Sequence, residues 1–186
     1  MSFKLGTTNN RAILIQDENY YDVEKTSEGK ISSDSVQALE SMEELKKLAS
    51  SLADFTPSGK LSEIKLGNPV PSSKNSYAVG LNYKGHAEEG GMEIPEVPMV
   101  FTKHTSCFVG PKDNVELRSD FVDYEAELVV VIGKGGKDIK EENGWEHVAG
   151  MCVGQDISDR PAQFATQPPM FNPVSYTHLT LPTNTV

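Results

Sequence analysis

Two carboxylates set one residue apart are the first sign of chemistry in this chain: Glu125 and Glu127 in "FVDYEAELVVVIGKG". In a strand, residues two apart point to one face, and their Cα atoms lie roughly 6.5 Å apart, so both carboxylates can converge on one ion. The apolar run Leu128–Ile132 follows at once and reads as a buried strand. Unpaired like charges beside such a strand are costly, and one of them tends to take up a proton. A hard divalent cation, Mg²⁺, Mn²⁺ or Ca²⁺, relieves the repulsion through carboxylate oxygens. The same pair on a strand face in water needs no cation, and the stretch alone favours that reading. Asp156, in "CVGQDISDR", stands where an apolar strand passes into a polar loop. A strand end presents a side chain from a rigid backbone, although an aspartate there also serves as a simple turn former. With Glu125 and Glu127 it makes a three-carboxylate site open to water or a chelating substrate.

"GLNYKGHAEEGG" supplies acid–base candidates. His86 and Glu89 are three apart, so one helical turn sets them side by side. A carboxylate beside an imidazole orients it and raises its basicity, as in pairs that activate water. Gly90 and Gly91 follow and give the freedom a lid needs. A solvent-exposed His–Glu pair in a loop has the same spacing. His104 reads as a strand residue, His147 as a helix-surface residue, and His178 lies in the C-terminal tail. Gly-rich phosphate loops, G-x-S-x-G elbows, HExxH and CxxC pairs are missing from the sequence, which weakens nucleotide, serine-hydrolase and Cys/His-zinc chemistry.

The elements that must hold these residues fall into two units. Residues 1–66 read as a small N-terminal α/β domain, with strands at Arg11–Gln16 and Tyr20–Lys25 joined by a polar turn. A helix is expected over Ser33–Phe55, where Val36, Leu39, Met42, Leu45, Leu48 and Leu52 recur at spacings of three and four. A Pro/Ser/Asn-rich connector spans 67–76, and a β-rich unit runs over 77–173. In that unit "MVFTKHTSCFVG" and "MCVGQDIS" read as strands and "KDIKEENGWEHVAG" as a short helix, which makes the whole an α+β fold rich in strand. The 186 residues carry 17 Lys plus Arg against 27 Asp plus Glu, a net charge of -10. That balance argues against nucleic acid and anionic membrane surfaces as partners. The N-terminus has no apolar h-region and no run reaches bilayer length, so a soluble cytoplasmic protein is expected. Cys107 and Cys152 are too few for a disulfide framework and are expected as buried, reduced thiols.

Four stretches taken together, "GLNYKGHAEE", "PMVFTKHTSCFVGP", "VDYEAELVVVIGK" and "VAGMCVGQDISDRPAQF", resemble the fumarylacetoacetate hydrolase family in content and order. That family includes acylpyruvases, oxaloacetate decarboxylases and catechol-pathway decarboxylase/isomerases. The resemblance implies that Glu125, Glu127 and Asp156 bind Mg²⁺ or Mn²⁺ and that His86 with Glu89 forms a water-activating dyad. It also implies that Lys103 and Gln163, together with Arg160 in the matching loop, line the substrate site. The implied fold is a small N-terminal domain before a mixed β-roll catalytic domain, homodimeric when full length. The implied activity is a metal-dependent hydrolase or lyase acting on C–C bonds of small 2-oxo or diketo acids. The family's lysine after the glutamine has no counterpart where "VSYTHL" begins. Residues 174–186 resemble a translated sequencing adapter, so the natural protein is expected to continue beyond about Pro173, leaving the β-roll incomplete here. A non-catalytic β-rich protein with a structural cation site or a solvated acidic face, or an inactive fragment of the enzyme, are the alternatives.

Overall fold

Three strands, β1 (Lys4–Thr8), β2 (Arg11–Gln16) and β3 (Asn19–Asp22), form an antiparallel meander. This computed structural model describes residues 2–165 and the backbone of the strand 178–180. The rest of the expected tail, and the position expected for the family lysine, lie outside the described residues. Asn9 and Asn10 both adopt positive φ, 49° and 59°, as a two-residue hairpin requires. β1 was not expected from the sequence. β3 stops at Asp22, three residues before the expected end, because the Asp22 carboxylate caps the short helix α1 (Val23–Thr26) by accepting the Lys25 N–H at 3.0 Å. Arg11 clamps the same carboxylate through Nε at 2.7 Å and Nη2 at 2.9 Å, and reaches Glu24 at 2.7 Å.

The single helix expected over Ser33–Phe55 is three pieces: α2 (Ser35–Glu40), α3 (Met42–Ser50) and a 3-10 turn at Leu52–Asp54. The chain breaks at Ser41, with φ -102° and ψ 45°. The break re-aims the two helices against a twisted sheet, which buries Ala38, Leu45, Leu48 and Leu52 and leaves Val36, Leu39 and Met42 half-buried. Ala12, Leu14, Tyr21, Val23 and Ile31 complete this core. β4 (Gly59–Lys60) adds to the edge of β3. The connector begins against β1, where Gly67 N–H donates to Thr7 O at 2.9 Å. A Cβ on Gly67 would sit 2.8 Å from Thr7 Oγ1, so that close approach requires glycine.

β5 (Tyr77–Gly80) pairs antiparallel with β6 (Met99–Thr102), and α4 (Lys84–Glu89) lies between them in sequence. The strand expected over 99–110 is interrupted by a 3-10 turn at Thr105–Cys107 before β7 (Phe108–Val109). A long antiparallel ribbon follows, β8 (Val122–Ile132) with β9 (Val148–Asp159), joined through a 3-10 helix at Glu141–His147 rather than an α-helix. After β9 comes α5 (Arg160–Gln163), capped by the Asp159 side chain. The backbone of β10 (His178–Thr180) lies between β7 and β9, so the sheet order is β7-β10-β9-β8 and β8 is an edge among the described strands.

The run Leu128–Ile132 forms its strand but is not buried. Leu128, Val130 and Ile132 face outward at 59%, 43% and 62% exposure, because no described layer covers that side of the sheet. An apolar run signals a two-sided environment, and only the Glu125/Glu127/Val129/Val131 side is half-covered here. Cys152 is buried, and burial pushes its thiol up to about 11, whereas Cys107 is only half-buried.

The position of the core gives a direct contrast. Leu45→Ala, at 0% exposure, is expected to cost about 3 kcal/mol in urea melts. Leu128→Ala is expected to cost less than about 1 kcal/mol, and equal costs would contradict the placement. Asp22 gives a pH test. Although burial opposes it, the Arg11 clamp and the Lys25 amide hold this carboxyl below its ordinary 3.8. Its contribution is therefore present above pH 3.8 and lost as pH falls through the lower folded value. Asp22→Ala should cost about 2 kcal/mol at pH 7, and the difference from wild type should shrink on acidification below that point.

Candidate metal centre

The pairing of β8 with β9 sets Glu125 opposite Asp156 and Glu127 opposite Gly154. Directly paired residues share a face, so three carboxylates meet above a glycine that contributes no side chain. One oxygen from each of Glu125, Glu127 and Asp156 lies within 4.8 Å of the others. Asp156 is buried and the two glutamates are half-buried. Burial raises the Asp156 carboxyl above its ordinary range; Lys103 pulls it back and Glu125 pushes it further up. Burial also raises Glu127, with Glu125 and Asp156 adding to the rise.

Lys103, just beyond β6, is brought to this face by its backbone N–H donating to Ser76 O at 2.9 Å. Its Nζ stands 2.8 Å from Asp156 Oδ2, both side chains nearly inaccessible, and 5.2 Å from the centre of the Phe101 ring. Arg160 approaches from α5. Its Nη2 lies 2.7 Å from Glu125 Oε1 and 2.7 Å from Asp123 Oδ2, Nε donates to the same Asp123 oxygen at 3.1 Å, and Nη1 donates to Gln163 Oε1 at 2.8 Å. Arg160, expected with Gln163 to line the substrate site, bonds Gln163 on one side and Asp123 and Glu125 of the acidic strand on the other.

His86 and Glu89 occupy α4 with exposed side chains, and only Ala87 of that helix is buried. Among the described residues no hydrogen bond or ion pair joins His86 to Glu89. His86 is close enough to Asp123 to help Arg160 and the Tyr124 amide hold that carboxyl down. Two contributors escaped the sequence reading. Asp123 continues the every-second-residue acidic pattern of β8 and was visible by that spacing. Tyr83, whose hydroxyl accepts the Leu128 N–H at 3.1 Å, carries no sequence signal, because its contact depends on where α4 docks.

The donor set fits a hard divalent cation. All the donors are carboxylate oxygens, and Asp156 Oδ1 is buried with no hydrogen-bond partner among the described residues. Among the described residues four acids, Asp123, Glu125, Glu127 and Asp156, stand beside the cations Lys103 and Arg160.

Comparison with known proteins agrees with this architecture. A family model described as fumarylacetoacetate (FAA) hydrolase, C-terminal, matches residues 75–180. The chain belongs to the fumarylacetoacetate hydrolase family. It is similar to oxaloacetate tautomerase YisK of Bacillus subtilis (strain 168), 46% identical over 109 residues, which are 55% of this chain and 36% of that protein. A candidate HpcE protein from Mycobacterium smegmatis superposes with a TM-score of 0.84 at 35% identity, covering 97% of this chain and 64% of that chain. A maleylpyruvate hydrolase from Sphingobium sp. SYK-6, solved with manganese(II) and pyruvate, shares the fold at 19% identity and a TM-score of 0.73, covering 98% of this chain and 65% of that chain. The chain spans about a third of the length of the curated relatives it matches, 32% to 36%. Among the described residues no helix is long and apolar enough to cross a membrane.

Lys103 yields a test of the charge balance. Lys103→Met removes the buried partner of Asp156 and should destabilise the metal-free protein by about 3 kcal/mol in denaturant melts. It should also tighten Mn²⁺ binding, because a cation beside the carboxylates is gone. Weaker Mn²⁺ binding in this variant would count against the arrangement.

Proposed function

We propose that this chain belongs to a metal-dependent enzyme that breaks or rearranges bonds next to the carbonyl of small 2-oxo or diketo acids. Glu125, Glu127 and Asp156 would hold Mg²⁺ or Mn²⁺, with Ca²⁺ admissible on the same oxygen chemistry. The observation that carries the reading is the cross-strand convergence of three carboxylates with one buried, partnerless oxygen on Asp156. A bound divalent ion would act as a Lewis acid on the substrate's 2-oxo and carboxylate oxygens and offset negative charge that develops there. Lys103, Arg160 and Gln163 would bind and orient the acid groups of the substrate. With a net charge of -10 the protein does not draw anions from afar, so these local cations must do so.

His86 would take a proton on its imidazole nitrogen from an attacking water, with Glu89 one turn away stabilising the charged ring. Gly90 and Gly91 would let α4 close over the face and exclude bulk water. A second reading is favoured by the name of the Bacillus relative, a tautomerase. In it His86 carries a proton between substrate carbon and oxygen, and no water attacks. The complete protein is proposed as a cytoplasmic homodimer.

The reading predicts that Mn²⁺ raises the thermal midpoint, by the equivalent of about 2.7 kcal/mol at a hundredfold excess over Kd. Glu125→Gln and Glu127→Gln should each remove most of that rise, and an undiminished rise in both would leave only a solvated acidic face. His86→Asn should keep the Mn²⁺ response while lowering turnover by about 10²-fold or more. Oxaloacetate keto–enol exchange and acylpyruvate cleavage, both followed by ultraviolet absorbance, separate tautomerisation from hydrolysis.

A further inference from the structure

Asp123 stands two residues before Glu125 on β8, so both side chains rise on the face that carries the candidate site. Arg160 lies between them. Its Nη2 is 2.7 Å from Asp123 Oδ2 and 2.7 Å from Glu125 Oε1, while its Nε donates to the same Asp123 oxygen at 3.1 Å. Asp123 therefore holds two nitrogens of the guanidinium and Glu125 one. The backbone fixes this placement. Arg160 N–H donates to Phe121 O at 3.2 Å, and Ser119 Oγ donates to the Asp159 carboxylate at 3.2 Å, so the segment entering β8 cradles the start of α5. Asp123 itself is outside the convergent set of Glu125, Glu127 and Asp156.

A bound cation and Arg160 draw on the same carboxylate. The Arg160 side chain is only 25% exposed, and a charge in such a place that loses its one partner is costly. Paired with Glu125 alone, the guanidinium would resist the transfer of that carboxylate's charge to an ion. Asp123 supplies a second anion that the ion does not claim. We propose that Asp123 is a positioning residue: it anchors Arg160 beside β8, so that Glu125 can turn its charge to a divalent cation while the guanidinium stays paired and seated against Gln163. This deepens the cation-site reading and rests on it. The Nη1 contact to Gln163 Oε1, 2.8 Å long, keeps the far side of the guanidinium in the same place.

The test is Mn²⁺ binding to the 186-residue chain, read by electron paramagnetic resonance in a double-mutant cycle. Asp123→Asn, which keeps the shape and removes the charge, should weaken binding about tenfold. Arg160→Met should bind Mn²⁺ at least as tightly as wild type. Adding Asp123→Asn to Arg160→Met should then cost less than about twofold, because the residue that Asp123 restrains is gone. An equal loss in both backgrounds means that Asp123 attracts the ion directly, and overturns the positioning role. So does wild type that binds Mn²⁺ together with an unaffected Asp123→Asn. Wild type that fails to bind Mn²⁺ overturns the cation site and this role together. The second measurement needs no metal: the Arg160 Nε–H signal in NMR spectra of the metal-free protein should shift and exchange faster with water in Asp123→Asn and Asp123→Ala. A signal unchanged in both variants rejects the anchor itself.

Discussion

Three carboxylates forced onto one face by the β8–β9 register are the constraint around which the second half of this chain is arranged. The opposition of Glu125 to Asp156 is a property of strand pairing, not of either residue. A one-residue slip would turn the glutamates to the other face and disperse the cluster. Because the register holds, burial and mutual repulsion raise Asp156 and Glu127 together. The surrounding elements answer that repulsion. Lys103 comes from beyond β6 to meet Asp156 and Arg160 from α5 to meet Glu125, while Tyr83 at the start of α4 meets β8 at the Leu128 amide. A divalent cation would complete the same balance.

The chain divides its labour unevenly. The described apolar core lies between Ala12 and Leu52, where a meander and two helices bury Leu14, Leu45 and Leu52 almost completely. The ribbon that carries the site is long and half-exposed, with Leu128, Val130 and Ile132 bare on one side. Its rigidity at the site comes from backbone pairing and charged contacts more than from apolar burial. This is the reverse of the N-terminal unit, where Arg11 and Asp22 decorate a core already closed by packing.

Much of the site was legible because its spacing is local. Glu125 and Glu127 share a face by the two-residue strand period, and Asp156 sits on an apolar strand of its own. Asp123 obeys the same period as the glutamates and was available to the same reasoning. The helix period behind Ser33–Phe55 was also correct locally, yet the break at Ser41 changed which apolar positions are buried. Burial of Leu128–Ile132 was read from composition and failed, since composition reports what a strand tolerates and not which layer lies over it.

The sequence by itself determined the carboxylate chemistry of the candidate site and its strand periodicity, which depend on neighbours a few residues apart, and the family resemblance, which depends on the order of four short stretches. Only the tertiary structure decided that Asp156 faces Glu125 and that Lys103 is buried against Asp156. It also decided that Arg160 bridges Asp123 and Glu125 while Tyr83 closes the edge of β8. Those contacts join residues tens of positions apart, and their pairing is set by strand register and helix docking, which no local pattern encodes.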